Sequence, residues 1–198
     1  MGVALGETCT AIGFLTVVEH PQHGLFGGYL VLNTAGRPIE FHCTAPLKPN
    51  RAQEILYGPT LKPYLYGEQI GRALVSKSTT ATIAICTDCE PVLELGDYVP
   101  MPVVLVLGDR VEPNADSSSP GNAATPPAPS GRQRLTVPRQ PGLRTLKIGG
   151  NRLAVRYSRV TDAETVATQL AAVVDGFDLT EPFGRIRDAI EEAQRAAR

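Results

Sequence analysis

Two uninterrupted apolar runs, residues 79–86 (TTATIAIC) and 102–107 (PVVLVL), constrain this chain more than any other feature. A strand with one wet face alternates apolar and polar residues, whereas a strand that is apolar at every position must be covered on both faces. Covering both faces of a sheet takes helices on two sides. The runs therefore demand a layered α/β architecture rather than an open meander or a helical bundle.

The segments around them fill in the layers. Residues 11–19 (AIGFLTVVE) are β-branched and apolar, and His20-Pro21-Gln22-His23-Gly24 breaks them. Residues 28–34 form a second strand, turned by Ala35-Gly36-Arg37-Pro38 into a third at 39–43, an antiparallel three-strand meander. Pro49-Asn50 opens a short helix over 51–57 that Gly58-Pro59 stops. Thr60 caps another, with Pro63 in its first turn and Tyr66, Ile70, Ala73 and Leu74 on one face. Residues 91–95 read as a short helix or turn. Farther on, 143–148 and 152–157 flank Gly149-Gly150-Asn151 as a hairpin. Thr161 and Glu164 match a capping box ahead of an apolar stripe that includes Val166 and Leu170, and the last helix starts near Thr180 and buries Phe183, Ile186 and Ile190. The expected fold class is α/β: a mixed sheet beginning with the meander, helices packed on it, and a C-terminal β-hairpin with two helices after a linker.

That linker is residues 112–133, rich in Pro, Ser, Ala, Gly and Asn and without an aromatic residue. Such a segment buries too little apolar surface to offset its ordering entropy, so disorder or an extruded loop is expected there. It divides the chain into an α/β core at 8–111 and a hairpin–helix–helix segment at 134–198. The latter is a small core alone and is expected to dock on the former.

Composition narrows the function classes. The 198 residues are 42% hydrophobic and 20% charged with a net charge of −1, which excludes a molecule that is basic overall and binds nucleic acid by bulk charge. No basic n-region with an apolar h-region opens the chain, and no apolar run reaches the ~20 residues of a membrane span, so a soluble, cytoplasmic protein without a membrane partner is expected. Four cysteines in a chain of this size are expected to stay reduced.

Three groups of residues carry chemistry. Cys86-Thr-Asp-Cys89 could hold zinc, the metal suited to thiolates at that spacing, with Cys43 or His42 completing the set. Neighbours on a strand point to opposite faces, so only one of those two could join. Buried free cysteines that act as small hydrophobes explain Cys86 and Cys43 equally, and a redox pair is disfavoured because Pro91 weakens the helix N-terminus such a pair uses. Glu19, Glu40, Glu54, Asp88 and Glu90 are the carboxylates available to a metal-dependent RNase H-like nuclease or hydrolase, whose element order the meander, helix and buried strand share. Such a site needs an acid inside the first strand, where residues 11–18 have none. Finally, eight Lys/Arg and no Asp or Glu lie between Arg132 and Val160. Arg152 and Arg156 alternate with Leu153 and Val155, so they share the outer face of the hairpin, and Lys147 joins them from the paired strand. A one-signed face attracts phosphates or an acidic protein; balancing acids on the last helix would neutralise it. His20 and His23 flank a turn, and no nucleophile motif or P-loop accompanies them, Gly27-Gly28 preceding a strand rather than a helix.

Residues 28–58 (GYLVLNTAGRPIEFHCTAPLKPNRAQEILYG) and 177–193 (FDLTEPFGRIRDAIEEA) resemble segments of uncharacterised bacterial proteins. The resemblance covers about a third of the chain, implies a folded family and brings no activity or site residue with it. The expectation from the residues is a non-catalytic interaction or accessory protein that engages a protein partner, or nucleic acid, through the basic hairpin face and the C-terminal helix. A nuclease of the RNase H-like type is the alternative, and a zinc-stabilised binding module the third reading. Catalytic residues and oligomeric state are not legible.

Overall fold

Alternate residues of the first strand enter opposite cores. In the computed structural model, which describes residues 10–108, 142–171, 173 and 177–196, β1 (Ala11–His20) sends Ile12 and Phe14 to one face and Ala11, Leu15 and Val17 to the other. β2 (Gly24–Asn33) pairs antiparallel with β1 along its whole length, and β3 (Pro38–Cys43) pairs antiparallel with β2. β4 (Ile85–Thr87) and β5 (Val103–Leu107) run parallel to β1 on its other side. The hairpin of β6 (Leu143–Ile148) and β7 (Asn151–Arg156) then joins the same sheet through an antiparallel β5–β7 pair. The order across the seven strands is β3-β2-β1-β4-β5-β7-β6. The α/β class read from the sequence is borne out, and the two apolar strands sit near the centre, buried on both faces.

Helices cover the two faces. One core is closed by a helical run of α2 (Leu61–Pro63), a π-helical segment (Tyr64–Gly71) and α3 (Arg72–Val75), which buries Leu65, Tyr66, Ile70 and Leu74, and by a 3-10 helix (Glu90–Asp97) that adds Val92, Leu93 and Leu95. The other is closed by α4 (Val160–Ala171) with Val166 and Leu170, and by α5 (Glu181–Ala196) with Phe183, Ile186 and Ile190. Short α1 (Arg51–Tyr57) is held by an Asn50–Gln53 capping box and buries none of its residues; Ile55 and Leu56 face solvent.

Gly27 and Gly28 lie inside β2, not before it. A Cβ on Gly27 would sit within the van der Waals shell of Ile70 Cγ2, and one on Gly28 would meet Ile186 Cγ2. The pair therefore lets a helix from each side approach the same strand, a close-approach role for glycine in a strand.

Two sequence expectations are adjusted. A continuous strand over 79–86 does not form: the ladder holds only Ile85–Thr87. Thr79 and Thr80 spend their polar groups on Glu40, while Ile83 and Ala84 still bond β1 through Ala11 and Gly13. The apolar side of α5 is also spent, since it is the core-facing stripe. The 112–133 linker and the Thr161 capping side chain lie outside the described residues. Among the described residues, no helix is long and apolar enough to cross a membrane.

Candidate functional site

At the carboxyl ends of β4 and β5 a cleft of about 600 Å³ is lined by Asp88, Cys89, Glu90, Arg152, Thr180 and Arg187, with Leu105–Gly108 and Phe183 as its remaining wall. Ligands of open α/β sheets bind in this region, outside the carboxyl ends of parallel strands. β4 delivers Asp88 and Cys89 just past its last residue, α5 delivers Arg187, and β7 delivers Arg152 from the far side.

The acid and thiol in the cleft each have partners within the chain. Asp88 Oδ2 accepts from Arg187 Nη2, and its Oδ1 accepts from the Cys89 thiol at 3.4 Å. Burial, and then the neighbouring Asp88 charge, pushes the Cys89 thiol above its ordinary value, so at neutral pH it is a protonated donor rather than a nucleophilic thiolate. Its other neighbours are the Val17 carbonyl and the Thr16 hydroxyl, each 3.7 Å away.

The proposed metal ligands are distributed rather than gathered. Cys86 belongs to the core under α4 and α5, with burial pushing its thiol up to about 12, while Cys89 packs against the core on the opposite face. Cys43 and His42 sit on edge strand β3, with β2 and β1 between them and β4. Three strand spacings amount to ~14 Å, whereas ligands of one zinc lie about 2.3 Å from it. His42 Nε2 is instead 2.9 Å from Glu40 Oε2. Among the described residues, no three His, Cys, Asp or Glu side chains are grouped as a metal site.

The carboxylates singled out in the sequence are equally scattered. Glu40 on β3 accepts from the Thr79 N–H and hydroxyl and from the Thr80 hydroxyl, and these bonds, together with His42, hold it far below the usual carboxylate range. Glu19 accepts from Tyr66 Oη at 2.5 Å and Lys62 Nζ at 3.0 Å, and it too is lowered, first by the phenol and then by the ammonium. Glu54 pairs with Arg51 on α1 at 3.1 Å. Only Asp88 and Glu90 share the cleft. The middle of β1, where an acid would be required, is filled by buried Phe14 and Leu15.

The basic hairpin separates into two kinds of cation. Arg152 and Arg156 do share a face with Lys147, but that face is not wholly solvent, because Ala154 between them is buried against Leu105. Arg156 is half-buried and donates Nη2 to Glu94 and Nη1 to Asp97 at 3.3 Å; Arg159 Nε lies 3.6 Å from Asp97 as well. The balancing acids come from the 3-10 helix, not from the last helix. Lys147 and Arg152 differ from Arg156: both are exposed, they are direct cross-strand partners, and neither has an ion pair among the described residues. They stand one step from the two-residue Gly149-Gly150 turn, so they form a non-hydrogen-bonded pair in which side chains come closest. Like charges so placed are destabilising, on the scale of the ~0.2–1 kcal/mol that a favourable cross-strand pair contributes. Sequence reasoning found all three cations but could not tell Arg156, a structural ion-pair member, from the other two.

No protein-family model matches this chain, and no curated protein matches it in sequence. Among solved structures, endonuclease V from Ciona intestinalis, in complex with a 23mer DNA containing an inosine followed by a ribo-adenosine, is similar at 10% identity and a TM-score of 0.34. The match covers 49% of this chain and 45% of that one, so the chain spans less than half the length of that protein. A likeness of that degree carries neither chemistry nor substrate to this protein.

Proposed function

We propose that this chain is a non-catalytic interaction protein that binds an acidic segment of a protein partner at the Lys147–Arg152 pair and the cleft Arg152 lines. The observation that carries it is the uncompensated pair itself. Arg156, Arg159 and Arg187 each have a carboxylate of this chain, whereas Lys147 and Arg152 face each other across the hairpin without one among the described residues. A carboxylate from outside relieves that repulsion and gains two charge-assisted hydrogen bonds. Two cations make a small footprint for a phosphate backbone, which favours a protein over nucleic acid.

The experiment is affinity capture with the full chain from a native lysate, identification of the partner, and titration of that partner at low and high salt. Lys147→Glu with Arg152→Glu is expected to weaken binding at least ten-fold, ~1.4 kcal/mol, and to flatten its salt dependence. Binding indifferent to the reversal overturns the assignment. So does Mg²⁺- or Mn²⁺-dependent cleavage of DNA or RNA that Asp88→Ala abolishes, which would make the cleft the nuclease site of the alternative reading.

A further inference from the structure

Strand register lines up one row of side chains across the basic margin. β5 sets Leu107 opposite Arg152 on β7, and β7 sets Arg152 opposite Lys147 on β6, so the three share one face of the sheet. Leu107 is half-buried and both cations are exposed. Leu107 and Arg152 also line the cleft of about 600 Å³, where Leu105, Val106 and Phe183 complete an apolar wall. A second cavity of about 470 Å³ adjoins it and shares Leu107 and Arg152 with it.

Charge decides what enters each hollow. Asp178 lines the second cavity, its Oδ1 accepting from the Thr180 N–H at 2.8 Å and the Thr180 hydroxyl at 2.7 Å. In the cleft, Arg187 is taken by Asp88, and Glu90 is an exposed carboxylate. A partner's carboxylate is therefore repelled from the floor of both hollows and settles at the Lys147–Arg152 pair. What the cleft still offers is its apolar wall. Clefts of this size take apolar groups that a few polar contacts hold in place.

Building on the acidic-partner reading of that site, we infer that the partner's segment carries a bulky aliphatic side chain two residues from the carboxylate that meets Lys147 and Arg152, and that this side chain seats in the cleft against Leu107. Spacing sets the interval. Neighbouring strands are about 4.8 Å apart, so a carboxylate midway between Arg152 and Lys147 lies about 7 Å from the Leu107 position. An extended segment crossing the row presents alternate side chains to the sheet about 6.6 Å apart, while successive ones point to opposite sides. An acid and an aliphatic residue at i and i+2 therefore match the row in either chain direction. A lone carboxylate uses only its cationic half.

The test is titration of the full chain with synthetic peptides whose pattern is the same in both chain directions. Leu-Ser-Glu-Ser-Leu between Gly-Ser flanks is expected to bind about ten-fold more tightly than Ala-Ser-Glu-Ser-Ala and than Leu-Ser-Gln-Ser-Leu. Leu107→Ala, checked for folding by circular dichroism, should shrink the advantage of leucine over alanine, whereas a merely structural effect would weaken both peptides alike. The peptides also separate this inference from the reading beneath it. Equal binding of the Glu and Gln peptides overturns both. A preference for Glu over Gln without one for Leu over Ala leaves the acidic partner standing and overturns the aliphatic determinant alone. Tighter binding of Lys-Ser-Glu-Ser-Lys, which sets a cation on Glu90, or of a single-stranded oligonucleotide also overturns it. So does an undiminished leucine advantage in Leu107→Ala, or no binding of the leucine peptide at ~1 mM.

Discussion

The two margins of the sheet use charge in opposite ways. At the β3 margin the strand's one carboxylate, Glu40, is drawn inward and saturated by Thr79, Thr80 and His42, leaving Ile39 and Phe41 part-exposed. At the β6–β7 margin Arg156 is drawn inward to Glu94 and Asp97 in the same manner, yet Lys147 and Arg152 are left over. Each margin thus has one charge that builds the fold. Only the basic margin keeps charge with no internal task, and unspent charge is what a partner can read.

The contrast is sharpest beneath the strands. Gly28→Val on β2 drives a branched side chain into Ile186 and Ile190, and a loss of about 2–3 kcal/mol in urea unfolding is expected, as for overpacked cores. Gly150 in the other hairpin has open space where a Cβ would stand and an ordinary φ, so Gly150→Ala should change stability by less than about 0.5 kcal/mol. Equal losses at the two positions would break the comparison.

Arg156→Ala comes next. It strips a half-buried guanidinium from two carboxylates, and after allowance for solvent screening about 1 kcal/mol should be lost. Arg152→Ala should cost no stability and should gain up to ~1 kcal/mol, since it removes the like-charge pair with Lys147. A matching loss in both would show that the two arginines are equivalent.

Glu40 should reveal itself through pH rather than through size of effect. Its folded value is depressed, so its contribution is present above the ordinary carboxylate value of 4.5 and is lost as pH falls towards the folded value. Thermal melts of wild type should therefore weaken below about pH 5 more steeply than those of Glu40→Gln. The smallest effect is on thiol labelling. Site-resolved alkylation should modify exposed Cys43 first, Cys89 slowly, and Cys86 only on unfolding.

Much of this arrangement was legible in the residue pattern, because strand and helix periodicity is local. The meander, the doubly covered strands and the stripe of α5 all follow from spacing within one element. What was not legible depends on distant partners. Arg156 and Glu94 are 62 residues apart, and Glu40 meets Thr79 and Thr80 about 40 residues on, so nothing near either charge marks it as structural. The same contacts hold Thr79 and Thr80, which read as the start of a strand, away from the ladder. Cys86 and Cys89 read as a pair by spacing, yet strand alternation and the turn that follows send them to opposite cores. The zinc reading rested on Cys86, Cys89, Cys43 and His42, which topology parts, whereas of the carboxylates weighed for a nuclease Asp88 and Glu90 share the cleft.

The most direct measurement is Lys147→Glu alone, followed by thermal unfolding and partner titration on the same protein. The substitution turns a like-charge cross-strand pair into an ion pair with Arg152, which should raise stability by about 0.2–1 kcal/mol while partner affinity falls. Stability that rises while binding holds would contradict the account, because it would show that the charge left over at this margin is not what the partner reads.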